Sequence, residues 1–199
     1  MKIKKLLFYL LAAILGGCIP IASLHSLYTK SDIIFEEKLL GIWIDDSNSP
    51  ETIWEFTRMD EPNNAYKMIF TDEDERKGSF VVNLVKLEGN LFLDFYPSEL
   101  PWEPEDPNKA EWLYNSFFLM PCHTFFKVES IEPKLVFHMT ANSEMKKLLQ
   151  ENPDSIGYTT IEDRIVLTGT TKQLQSFILK YIDDERLFPG DIELVRKTD

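Results

Sequence analysis

The chain has 199 residues, 44% of them apolar and 13% aromatic, with 21 Lys+Arg against 33 Asp+Glu. That composition excludes a disordered, fibrous or disulfide-stapled protein. Three cations (Lys2, Lys4, Lys5) crowd the N-terminus, which leaves a body of 18 cations and 33 anions. So acidic a surface excludes nucleic acid as a partner, and about 180 residues beyond the leader suffice for one domain and are short for two.

Met1 to Lys5 is basic, Leu6 to Leu15 is uncharged, and Leu15-Gly16-Gly17-Cys18 follows, which gives all three parts of a secretory signal peptide. Leu three places before the cysteine, with small residues between, resembles the lipobox of bacterial lipoproteins. The resemblance implies that residues 1–17 are removed, that Cys18 carries a diacylglyceryl group, and that the protein is held to a membrane of the bacterial cell envelope. Ile19 rather than Asp after the cysteine implies, by the same resemblance, the outer membrane of a diderm source. Two other readings stay open. The uncharged stretch runs on to Tyr28, beyond the roughly 20 residues that span a bilayer, so an uncleaved anchor is one; plain cleavage after a small residue such as Ala22 is the other. With Cys18 acylated only Cys122 remains, and no intrachain disulfide can form. Cys122 and His123 are neighbours on an extended chain and point to opposite faces, so they make a poor nucleophilic pair; Cys122 reads as a small buried hydrophobe.

Residues 18–30 read as a tether and 31–199 as one domain. Ser31-Asp32 opens a short helical pattern, with Ile33, Ile34, Leu39 and Leu40 on its apolar side, that stops at Gly41. Segments rich in β-branched and aromatic residues follow, and they predict strands near 42–46, 51–58, 65–71, 79–87, 91–96, 124–131, 134–140, 164–169 and 192–196. Phe80, Val82 and Leu84 share one face; so do Leu91, Leu93 and Phe95, and Leu135, Phe137 and Met139. Glu61-Pro62-Asn63-Asn64, Glu88-Gly89-Asn90 and Glu132-Pro133 supply turns. Residues 97–121 form an insert with five prolines and two tryptophans (Trp102, Trp112), read either as a decorated surface loop or as a lid over a barrel mouth. Helices are predicted near 143–151, with Met145, Leu148 and Leu149 inward, and after Thr170. There Thr170 and Gln173 form a capping box, and Leu174, Phe177, Ile178, Tyr181 and Ile182 form an apolar stripe for a barrel wall.

Leu40-Gly41-Ile42-Trp43 at the first strand, and Leu167-Thr168-Gly169-Thr170-Thr171-Lys172-Gln173-Leu174 before the last helix, together resemble lipocalins. The resemblance implies a mainly β fold: an antiparallel barrel of eight or nine strands, with late helices of which one packs on the exterior, and a final strand near Ile192 to Arg196. Gly41 then turns the chain at the barrel base, Trp43 plugs the closed end, and Gly169 belongs to the second motif. Thr170 stands where that family has an arginine, so a cation over Trp43 must come from Arg196 or Lys172. The family's Thr-Asp-Tyr turn is absent, and the helix near 143–151 has no counterpart there.

Metal-hydrolase, zinc, nucleophile-elbow and phosphate-loop motifs are absent, so the chain is expected not to be an enzyme and to hold no cofactor. Asp72-Glu73-Asp74-Glu75-Arg76-Lys77-Gly78 has Arg and Lys where a calcium loop needs an oxygen ligand and a glycine, and reads as a hairpin tip. His25, His123 and His138 have no metal-site spacing and read as surface or singly bonded histidines. The first functional expectation is a barrel whose interior, with Phe80, Val82, Leu84, Phe126, Val128, Phe137 and Met139 as candidates, takes a small hydrophobic ligand or acyl chain. The alternative is a filled barrel that serves as an envelope protein-interaction module.

Overall fold

The computed structural model describes residues 20–45, 52–61, 64–98 and 119–197. Cys18 and most of the 97–121 insert lie outside the described residues. In chain order the elements are β1 (Ala22–Ser23), β2 (Ile33–Ile34), a 3-10 turn (Glu37–Leu39), β3 (Gly41–Asp45), β4 (Ile53–Arg58), β5 (Ala65–Thr71), β6 (Lys77–Leu87), β7 (Asn90–Pro97), β8 (Thr124–Ser130), β9 (Leu135–Met139), α1 (Asn142–Glu151), β10 (Tyr158–Ile161), β11 (Arg164–Leu167), α2 (Thr171–Lys180) and β12 (Gly190–Arg196).

Period-two alternation along these strands becomes an inside and an outside. β3 to β9 form an antiparallel meander, and β12 pairs with both β9 and β3, so eight strands close a barrel without a free edge. Register carries inward residues from strand to strand: Phe56 faces Met68, Met68 faces Phe80, and Leu84, Leu93, Phe126 and Met139 follow one another round the wall. The β6–β7 hairpin turns through Glu88 (φ 47°) and Gly89 (φ 89°), the two left-handed residues that match strand twist in a two-residue loop.

Three expectations are corrected. The strand near 164–169 is not a barrel stave. β11 belongs to a separate three-stranded sheet with β10 and β1, and the Gly169 motif therefore leads out of that sheet into α2 while β12 supplies the eighth stave. The helical pattern from Ser31 breaks because Ile33 and Ile34, both β-branched, pair with Val85 and Leu84 on the part of β6 that extends past β5; only the 3-10 turn follows. The segment read as a tether is packed over its described part: Ile21 and Leu27 are fully buried, and Gln175 on α2 donates to the Leu27 carbonyl.

Two cores result. Inside the barrel lie Trp43, Phe56, Tyr66, Val82, Leu84, Leu93, Leu135 and Leu194, among others. Outside it, α1 (Met145, Leu148, Leu149) and α2 (Leu174, Phe177, Ile178) pack with Ile21 and Leu27 over the outward residues Val85, Leu87, Phe92 and Phe125 of β6, β7 and β8. α2 starts with the anticipated capping box: the Thr170 backbone N–H donates to Gln173 Oε1 (2.9 Å), and the Gln173 N–H donates to Thr170 Oγ1 (3.4 Å). Among the described residues no helix is long and apolar enough to cross a membrane.

Candidate functional site

The two ends of the barrel differ. At the end where β3 begins, the chain before β3 forms a plug. Trp43 is fully buried, and its indole N–H donates to the Leu39 carbonyl (2.9 Å). Arg196 is the cation over its ring, 4.4 Å from the centroid. The same guanidinium donates to the carbonyls of Leu40 (2.8 Å) and Lys38, which closes the 3-10 turn onto the last strand. Gly41 makes this approach feasible: its φ is +123°, and a Cβ there would lie 2.7 Å from Arg196 Nη1. Beside it, the Tyr66 hydroxyl donates to the Glu36 carbonyl (3.1 Å) and accepts from the Glu36 N–H (2.7 Å), and burial pushes the phenol up to about 12. Phe35 stacks on Tyr66 at 4.7 Å and carries Arg58 on its ring. Gly169, by contrast, stays outside the barrel, where it packs close to Ile156 and its N–H donates to the Gly157 carbonyl.

At the opposite end the described residues leave a space unfilled. A cavity of about 220 Å³ is walled by Trp54 from β4, Met68 and Phe70 from β5, Phe80 from β6, Phe95 from β7, and Thr124 and Phe126 from β8, with Pro20 at its margin. None of these described wall residues has a charged side chain. The rings meet edge to face: Trp54 and Phe70 at 5.0 Å, Phe80 and Phe95 at 6.1 Å, Phe95 and Phe126 at 4.8 Å. The Thr124 hydroxyl is buried and has no hydrogen-bond partner.

All seven interior candidates from the sequence belong to the inner cluster, but they do different things. Phe80 and Phe126 wall the cavity. Phe137 backs it, with its ring 5.5 Å from both Trp54 and Phe126. Val82, Leu84 and Val128 are buried packing and Met139 is half-buried; none of these four lines the cavity. Sequence reasoning missed Trp54, Met68, Phe70, Phe95, Thr124 and Pro20 as wall residues. The alternations Tyr66-Met68-Phe70, Leu91-Leu93-Phe95 and Thr124-Phe126-Val128 carried a signal for four of them; Pro20 arrives through long-range folding and had none. Leu119 and Met120, which lead into β8 at this end, are exposed.

A second polar constellation sits on the outer wall. Asp94 is fully buried; its Oδ2 accepts from the Leu27 N–H (2.7 Å), and its Oδ1 lies 2.6 Å from His123 Nδ1. Burial pushes the Asp94 carboxyl up, opposed by His123 and the Leu27 N–H. The Tyr28 phenol is also raised, by burial first and then by the Asp94 charge; it accepts from Asn83 Nδ2 (3.0 Å). This group fastens the segment after Pro20 to the barrel. Cys122, expected to be buried, is partly exposed, and burial raises its thiol, the opposite of an activated nucleophile. His138 makes two bonds rather than one, to Glu129 (2.8 Å) and Asp191 (2.6 Å). The Asp72 loop is closed by its own side chains: Asp72 accepts from the Asp74 and Arg76 N–H groups and pairs with the Arg76 guanidinium.

Comparison of the chain with models of protein families, with curated proteins and with solved structures finds no match.

Proposed function

We propose that this protein is a lipid-anchored, lipocalin-like barrel of the bacterial envelope that takes a small hydrophobic ligand into the cup at its open end. The observation that carries the reading is the contrast between the two ends: one is sealed by Trp43, Arg196 and Tyr66, while the other keeps a concave, uncharged, aromatic space. Moving apolar ligand surface from water into such a preformed space is favourable by about 25 cal/mol per Å² buried, and the rigid wall limits the ordering cost. Pro20 supports the membrane part. It borders the cup two residues after Cys18, and two residues reach at most about 7 Å, so an acyl anchor on Cys18 would hold the opening beside the lipid surface and let ligand pass between the two.

The experiment is a titration of the protein with short-chain hydrocarbons and alcohols, read by tryptophan fluorescence, with Trp54→Phe as the control for the reporter. Saturable quenching that depends on Trp54 supports the reading. A flat response across the series removes it and favours the second reading, a barrel that acts as a rigid interaction module. The observation that favours that alternative is the extent to which the barrel's own side chains, Phe56, Val82, Leu93 and Leu135 among them, fill the interior below the cup.

A further inference from the structure

The shape and chemistry of the cup narrow its ligand. We propose that it selects a compact, neutral aromatic molecule with one hydrogen-bonding group, of phenol or indole type, whose polar atom meets the Thr124 hydroxyl; this rests on the ligand-binding reading above. Four features of the cup carry the inference.

Size comes first. At about 220 Å³ the cavity is half again as large as the ~150 Å³ space that takes benzene, and below the roughly 300 Å³ where ordinary ligand pockets begin. One ring with one or two substituents fills it; a long acyl chain would have to project from the opening. Charge comes second. None of the described wall residues is ionisable, so a carboxylate drawn among them would lose its water and gain no cation from them. The rings are also placed for aromatic guests. Trp54, Phe70, Phe80, Phe95 and Phe126 already meet one another edge to face, and a flat guest continues that arrangement.

The fourth feature is the orphan hydroxyl. Among the described wall residues only Thr124 and the Trp54 indole carry a hydrogen-bonding side-chain group; the others are Pro, Met and Phe. It stands opposite Phe95 in the β7–β8 register, yet its Oγ1 is buried with no partner. Buried hydroxyls are ordinarily bonded, and an unpartnered one in a protein interior asks for an explanation. Oγ1 lies just behind an apolar wall, so a guest O–H or N–H supplies the missing partner once the Thr124 side chain steps to another staggered rotamer.

The test uses the full chain and three molecules of one outline, p-xylene, p-cresol and p-toluate, measured by isothermal titration calorimetry on wild type and Thr124→Val, which keeps the shape and removes the hydroxyl. The expected result is that p-xylene binds both proteins alike, which also shows that the variant folds. The preference for p-cresol relative to p-xylene should fall at least about fivefold in Thr124→Val, the ratio that roughly 1 kcal/mol of net hydrogen bonding gives. p-Toluate should bind wild type at least about tenfold more weakly than p-cresol. A cresol preference unchanged by the substitution, or p-toluate binding as tightly as p-cresol, overturns the proposal while p-xylene binding leaves the hydrophobic cup standing. Failure of all three to bind overturns both.

Discussion

Replacing Asp94 by alanine tests how the chain after Pro20 is fixed to the barrel. The carboxylate is fully buried and meets two donors, the Leu27 N–H at 2.7 Å and His123 Nδ1 at 2.6 Å. Alanine leaves the buried Leu27 N–H and the part-buried His123 ring without this acceptor. Each stranded group costs about 1–3 kcal/mol, so the two together cost about 3–5 kcal/mol. That is a large fraction of the ~5–15 kcal/mol by which domains are stable. In urea, with a slope of about 2 kcal/mol per molar, the unfolding midpoint should fall by roughly 1.5–2.5 M with the slope unchanged. Asp94→Asn keeps one acceptor and should lose about half as much. The pH dependence has a definite sign. The folded-state carboxyl is raised, so between the ordinary Asp value of about 3.9 and its folded value the native chain holds more protons than the unfolded one, and stability contributed at Asp94 falls as pH rises through that window. The difference in stability between wild type and Asp94→Asn should shrink across it. A midpoint shift below about 0.5 M for Asp94→Ala, or a difference between the two proteins that grows with pH there, refutes the clamp.

Other perturbations separate the two ends and the two cores. Arg196→Ala removes the cation over Trp43 and the bonds to Lys38 and Leu40, and should cost about 1–2 kcal/mol in thermal unfolding without changing p-xylene affinity. Gly41→Ala should cost at least about 1 kcal/mol through its positive φ and the 2.7 Å approach of Arg196, and less in an Arg196→Ala background, since the pair share one contact; additive losses in a double-mutant cycle contradict this. Leu174→Ala opens a hole between α2 and the outer wall and should cost about 2–5 kcal/mol by denaturant unfolding, again with ligand affinity unchanged, because that core lies outside the barrel.

The barrel was legible because its signal is local. Alternation in Phe80-Val82-Leu84 or Leu135-Phe137-Met139 tells inside from outside wherever a strand is buried on one face, and Gly41-x-Trp43 with a short final strand ending at Arg196 marked the closed end. Where local signals agree with two structures, the sequence could not choose. Ile165-Val166-Leu167 is a continuous apolar run that suits any doubly covered strand, and it went to the small sheet. Ile33-Ile34 fitted a helical stripe until the unpaired end of β6 offered them a strand partner. The cup was half legible: alternation found Phe80 and Phe126, but which inward residues sit level with them depends on the stagger between staves. That stagger sets Trp54 opposite Phe70 and brings Phe95 to Thr124. Asp94 and His123, 29 residues apart, and Pro20, drawn to the margin by the burial of Ile21, meet only after closure.

The most direct test of the open cup is methyl NMR on protein labelled at methionine Cε and titrated with p-xylene. Met68 walls the cavity, whereas Met145 lies in the outer core and Met59 precedes the β4–β5 turn. A saturable shift of Met68, with Met145 and Met59 still, is the expected result. A Met68 signal that does not move, or that moves together with the other two, contradicts a hydrophobic ligand in the barrel.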